Sequence, residues 1–158
     1  MTLFPPSTNA QYHGARSAAW FLTLAGVLEF IPGCIHYFLP DGGAGVIARL
    51  DLSQGGSTII AVFAWFGAIQ IPFALLLAVI GWRYRTLVPL GLVALILARG
   101  LMAIDGWLLK GAVSGRHPPE HFASPVVVVL ASIFLALSLR ARPGPQSENR
   151  GDAHAGLQ

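Results

Sequence analysis

The chain has 158 residues, of which 54% are hydrophobic and 11% charged, and its mean hydropathy is +0.64. A water-soluble domain carries about a quarter charged residues, so this composition excludes an ordinary soluble surface and points to a membrane protein. The net charge of +3, with no long basic run and no interleaved aromatics, argues against nucleic acid as a partner, and the single cysteine, Cys34, excludes an internal disulfide or a one-chain thiolate cluster.

Residues 1–16 are mostly polar, with adjacent prolines Pro5 and Pro6, and read as a loose or interfacial N-terminal arm. Four apolar stretches follow, at about 17–39, 57–82, 88–109 and 122–139. Each approaches the ~20 residues that a helix needs to cross ~30 Å of hydrocarbon. Backbone polar groups in lipid must be satisfied within the segment, so the stretches are expected as helices. The fold class is therefore all-α, an integral membrane four-helix bundle over 17–142. The Pro-, Gly- and polar-rich tail 143–158 is expected to be disordered.

The connections carry two motifs. PDGGAGVIARLD, 40–51, lacks the Gly-Lys-Ser/Thr of a phosphate loop. It reads as a tight turn into a short surface helix, GVIARL, with Asp41 near its start. HPPEH, 117–121, spells an inverted zinc-protease motif, but Pro118 and Pro119 oppose a continuous helix through both histidines. A solvated loop and weak metal binding by His117, Glu120 and His121 are the readings that remain.

Arg16, Arg83, Arg85, Arg140 and Arg142 flank the spans on one side. Arg49, Lys110 and Arg116 lie on the other, diluted by Asp41, Asp51 and Glu120. The bias places both termini in the cytoplasm.

The centres of the four stretches fall near Glu29, Gln70, Arg99 and Ser132, so each span brings a polar group to about the same depth. Charged side chains at mid-bilayer cost about 2.5–3.5 kcal/mol each on insertion scales. The cheapest solution is mutual: Glu29 pairs with Arg99, and Gln70 and Ser132 complete the hydrogen bonds. Gly26, Glu29, Gly33 and His36 share one helical face, where glycines let a neighbour approach. His36 lies about 10 Å beyond Glu29, and Asp105 about 9 Å beyond Arg99. Asp105 is rotated from Arg99 by about 120°, so it belongs to a different groove or to the water boundary. A cavity lined by His36, Tyr37 and Asp105, floored by Glu29 and Arg99, is expected on the outer side, in the volume the glycines leave. The candidate polar core or ligand-binding set is thus Glu29, His36, Gln70, Arg99 and Asp105. No metal site or cofactor is expected: a haem wants two axial ligands at one depth, and His36 alone lies in a span.

The topology, with EFIPGCIHYFLPDGGAG at 29–45 and ARGLMAIDGW at 98–107, resembles the small bacterial four-helix membrane proteins of the DoxX-like type. That resemblance implies a bacterial inner membrane, and for some members a link to quinones or redox partners. A more distant likeness is to sterol-isomerase-type bundles, with no residue role carried over. Three functions stay open. The first is an accessory or non-enzymatic protein that binds a small lipophilic molecule. The second is a membrane enzyme doing acid/base or redox chemistry on a quinone or sterol-like substrate, with Glu29 or His36 as acid or base. The third is a structural or assembly subunit with no ligand. The partners implied are the lipid bilayer, a small lipophilic ligand and another membrane protein.

Overall fold

A computed structural model of the chain describes residues 3–113 and 117–140, without the side chains of 112 and 113. The expectations placed on Arg116, Arg142 and the tail 143–158 lie outside the described residues. The helices are α1 (Arg16–Phe38), α2 (Gly56–Arg83), α3 (Val88–Leu108), the single turn α4 (Lys110–Val113) and α5 (Pro119–Leu139). Helices α1, α2, α3 and α5 are long and apolar enough to cross a membrane, and they form an all-α four-helix bundle.

The exterior is as apolar as the interior. Trp65 is 71% exposed and Leu101 68%. In water such a surface would aggregate, whereas in hydrocarbon it is the ordinary coat of an integral membrane protein.

Helices α1 and α2 pack along their whole length because small residues line both sides of their seam. A Cβ added at Gly26 would lie 2.5 Å from the Ala78 nitrogen. One at Gly67 would lie 2.7 Å from the Gly33 oxygen, and one at Gly81 would lie 2.6 Å from the Ala19 oxygen. Ala19, Gly26 and Gly33 on α1, and Gly67, Ala74 and Gly81 on α2, recur every seven residues. Such a repeat keeps one stripe facing its partner in a left-handed helix pair, and small residues bring backbones close where no hydrophobic effect drives association. Helices α3 and α5 form the second tight pair, with few contacts across to the first.

The two ends of the bundle differ. At the arm end, Leu22, Leu77, Val88, Leu92, Leu95 and Ala131 fill the space between the pairs. Phe21 stacks on Phe134 with ring centroids 4.3 Å apart. The arm is not loose. Ser7 Oγ donates to the Arg83 carbonyl at 2.9 Å, and Asn9 Nδ2 to the Trp82 carbonyl at 2.9 Å. These oxygens belong to the last turn of α2, where carbonyls have no helical partner, so the arm caps α2.

At the loop end, residues 40–48 form linked turns instead of the expected surface helix. The Asp41 carboxylate accepts N–H bonds from Gly43 (2.9 Å), Gly45 (3.0 Å) and Val46 (2.8 Å). Such side-chain-to-backbone bonds compete with helix formation. Gly42 and Gly43 adopt positive φ, of 61° and 78°, which winds the chain back over α1.

Candidate functional site

The polar core lies where the two helix pairs meet. Glu29, Gln70 and Arg99 are only 6–7% exposed. Arg99 Nε donates to Glu29 Oε1 at 2.5 Å, and Nη2 pairs with the same oxygen. Gln70 Nε2 donates to the other oxygen, Oε2, at 3.1 Å. Three helices thus contribute one member each, and a buried charge is matched by a buried countercharge.

The fourth helix contributes different residues from the one expected. Ser132 is exposed, and its hydroxyl donates to the Val128 carbonyl one turn back at 2.8 Å. Its place is taken by Glu120 and Ser124. Arg99 Nη1 pairs with Glu120 Oε2, and Ser124 Oγ lies 3.4 Å from the same nitrogen. The Arg99 guanidinium therefore joins two carboxylates on different helices. Formally two negative charges face one positive. Glu120 stands in the first turn of α5, where the helix dipole favours a negative group.

Glu120 was legible in principle. Proline is favoured at the first position of a helix, so Pro119 marks the start of α5 three residues before the apolar run begins. Glu120 and Ser124, four apart, then share one face. The apolar-run criterion started the helix at 122 and left Glu120 in a loop.

His36 sits at the loop end of α1, and its Nδ1 lies 2.8 Å from the Gly42 carbonyl oxygen. A carbonyl only accepts, so Nδ1 carries the proton. Phe63 and Phe66 flank the ring, with centroids 5.2 and 5.8 Å away. His36 therefore pins the 40–48 turns to α1.

The HPPEH stretch divides at the helix start: His117 precedes α5 and His121 lies in its first turn. Their Nδ1 atoms are 3.1 Å apart, close enough to share one proton. Trp107 stacks on His117 at 4.4 Å and donates from Nε1 to the His121 carbonyl at 2.7 Å. Glu120 turns away to Arg99, so the motif is not assembled as a metal-binding or proteolytic unit.

Two cavities open along the seam between the helix pairs. The larger, of about 540 Å³, lies at the loop end, and His36, Asp105, Glu120 and His121 are its polar lining. The smaller, of about 320 Å³, lies deeper, with Glu29, Gln70 and Arg99 in its wall beside Phe66, Phe73 and Leu95. Phe66 and Met102 line both, so the two adjoin there.

His36 and Asp105 thus meet in one cavity in spite of the 120° phase difference, because α1 and α3 approach it from opposite sides. Tyr37 does not line it; it is half exposed and its ring meets Phe38 edge-on, with centroids 5.0 Å apart. The space is not volume left by Gly26 and Gly33 either. The α2 backbone closes on Gly26, and Ile71 of α2 on Gly33. The room comes instead from the loose contact between the pairs.

Chemically, Glu29 is a carboxylate with both oxygens engaged. With neither oxygen open to a bound molecule, Glu29 is badly placed for acid–base work there. Comparison with protein families, curated proteins and solved structures finds no match to this chain.

Proposed function

We propose that this integral membrane protein holds a small lipophilic molecule in the seam between its helix pairs, in an accessory or non-enzymatic role. One observation carries the reading: two adjoining cavities of about 540 and 320 Å³, with largely apolar walls, sit over a cluster of fixed polar groups. Small-molecule sites commonly enclose about 300–1,000 Å³, with few polar groups to set orientation. A purely structural clasp does not need that volume. The engaged state of Glu29 weighs against the enzymatic alternative on a quinone or sterol-like substrate.

The proposal includes the setting. Arg16, Arg83, Arg85 and Arg140 gather at the arm end, which supports a cytoplasmic arm end by the positive-inside rule. A bacterial inner membrane and kinship with DoxX-like proteins belong to the same proposal, on the strength of topology and the stretches 29–45 and 98–107.

The test is native mass spectrometry of the protein purified in mild detergent, with organic extraction of the sample. A retained molecule of a few hundred daltons, lost in Ala98→Phe, which fills the inner cavity, is the expected result. Identical spectra for the two proteins, with no adduct, would remove the reading in favour of a subunit without a ligand.

A further inference from the structure

We infer that the arm end carries a binding site for an anionic phospholipid, with the lipid phosphate seated between Arg16 and Arg85 beside Trp20. This site lies on the outer face of the bundle and is separate from the seam.

Charge is divided unevenly along the molecule. The described carboxylates, Glu29, Asp41, Asp51, Asp105 and Glu120, all lie at mid-depth or at the loop end. Arg16, Arg83, Arg85 and Arg140 stand at the arm end, where the described residues include no carboxylate. None of these four arginines has an ion-pair partner among the described residues. Their level is that of lipid headgroups. Arg16 opens α1 and Arg83 closes α2, and the exposed rings of Trp20 and Trp82 mark the same layer, where indoles favour the membrane–water interface.

Arg16 and Arg85 are brought together. Trp20 lies one turn after Arg16 on the same face of α1, and helical side chains lean towards the N-terminus, so the indole reaches back towards Arg16. Arg85, just after α2, holds its guanidinium over that ring, 5.8 Å from the centroid. Its Nε donates to the Gly81 carbonyl at 3.4 Å, which leaves both Nη groups free. The Arg16 side chain is exposed and has no polar partner among the described residues. The set therefore offers donors alone. A phosphodiester offers acceptors alone, and guanidinium grips it by charge-assisted, two-pronged bonds. An anion between the two arginines also removes their mutual repulsion. Arg83 is placed differently: its Nη2 donates to the Pro5 carbonyl at 3.3 Å, and its guanidinium lies beside Tyr84.

Below the phosphate there is a track for acyl chains. Leu24, Val27 and Ile31 continue the face of Trp20 towards mid-membrane, each more than half exposed. The net charge of the headgroup decides which lipid is favoured. The ammonium of a choline or ethanolamine headgroup wants a carboxylate, and the arginines repel it. A glycerol headgroup adds no positive charge, so a lipid such as phosphatidylglycerol fits.

The experiment is native mass spectrometry of the full chain in mild detergent, with equal amounts of phosphatidylglycerol and phosphatidylcholine carrying identical acyl chains. The native chain should retain phosphatidylglycerol about five- to thirtyfold better, the worth of one to two arginines near a membrane surface. Arg16→Gln and Arg85→Gln should each reduce that ratio about fivefold, and Arg83→Gln should change it little. Inorganic phosphate in excess should leave the lipid in place, because it has no tail to bury. Equal retention of the two lipids by the native chain overturns the proposal and leaves the arginines to set orientation alone. Displacement by inorganic phosphate overturns the lipid assignment in favour of a free anion. A preference that survives in the double variant Arg16→Gln, Arg85→Gln, or that falls as far in Arg83→Gln, overturns the placement in favour of a diffuse basic surface. The native ratio decides the anionic preference even where a variant does not fold.

Discussion

The arm end and the loop end of this bundle are built from the same four helices and share one helix–helix seam, yet one is filled and the other is open. At the arm end, Leu22, Leu77, Leu92 and Leu95 are at most 1% exposed and occupy the space between the pairs. At the loop end the corresponding space holds two cavities, and buried charges take the place of leucines. The α1–α2 seam runs through both ends with the same small-residue stripe, so it does not create the difference. What differs is the contact between the pairs. Apolar side chains from both pairs interlock at one end. At the other, a guanidinium spans the gap and holds the pairs together by charge. A long polar bridge can join helices that do not touch, whereas dispersion requires contact.

The largest expected effect breaks that bridge. Arg99→Gln leaves Glu29 buried without its countercharge and the half-buried Glu120 without its partner, and should destabilise the protein by about 3–5 kcal/mol, read as a fall in the detergent or nanodisc unfolding midpoint. Glu29→Gln should cost less, because Glu120 still pairs with the guanidinium. The double variant Glu29→Gln, Arg99→Gln should recover part of the Arg99→Gln loss. Strictly additive losses would mean that the pair is not energetically coupled.

Next come the small residues of the seam. Gly67→Ala, at the loop end, and Gly81→Ala, at the arm end, each push a methyl into backbone or side-chain atoms of α1. Overpacking of this kind costs about 1–3 kcal/mol, and similar losses at both positions are expected. A loss at Gly81 alone would show that the seam is itself looser at the loop end.

The direct comparison of the two ends adds the same side-chain volume to each. Ala131 is fully buried in the arm-end core, so Ala131→Leu should cost about 1–3 kcal/mol. Ala98 lines the inner cavity, so Ala98→Leu should change stability by no more than about 0.5 kcal/mol. Equal losses would mean that the loop end closes in the membrane.

The smallest effect concerns the turns that carry the loop end. Backbone N–H bonds to Asp41, from Val46 above all and also from Gly43 and Gly45, hold its carboxyl below its ordinary range. Because the folded value is the lower one, the stabilisation is present above the unfolded value of about 3.9. It is lost as the pH falls through the folded value beneath it. The native chain should therefore lead Asp41→Asn in melting temperature at neutral pH, and the gap should narrow below about pH 4. A gap that stays constant through this range would show that the carboxylate charge contributes nothing.

Composition and spacing alone determined that four helices form, roughly where they begin, and that Glu29, Gln70 and Arg99 share one depth. These are local or one-dimensional properties. Hydrocarbon thickness sets helix length, and 1.5 Å per residue converts position into depth. The seven-residue stripe of Gly and Ala was also present in the sequence, and matching it on α1 and α2 would have paired them. Pro119 likewise marked the true start of α5. Only the tertiary structure decided which groups fill the remaining valences of Arg99. The choice of Glu120 and Ser124 over Ser132 depends on how far α5 is shifted along its axis relative to α3, which no single helix encodes. Ser132 could satisfy its own hydroxyl on the preceding turn, so nothing in its helix required it to face inward. The cavities were decided there too. Room in a bundle is set by the distance between helix pairs, a property of the assembled whole, and the glycines that were expected to create it serve instead to bring α1 and α2 together.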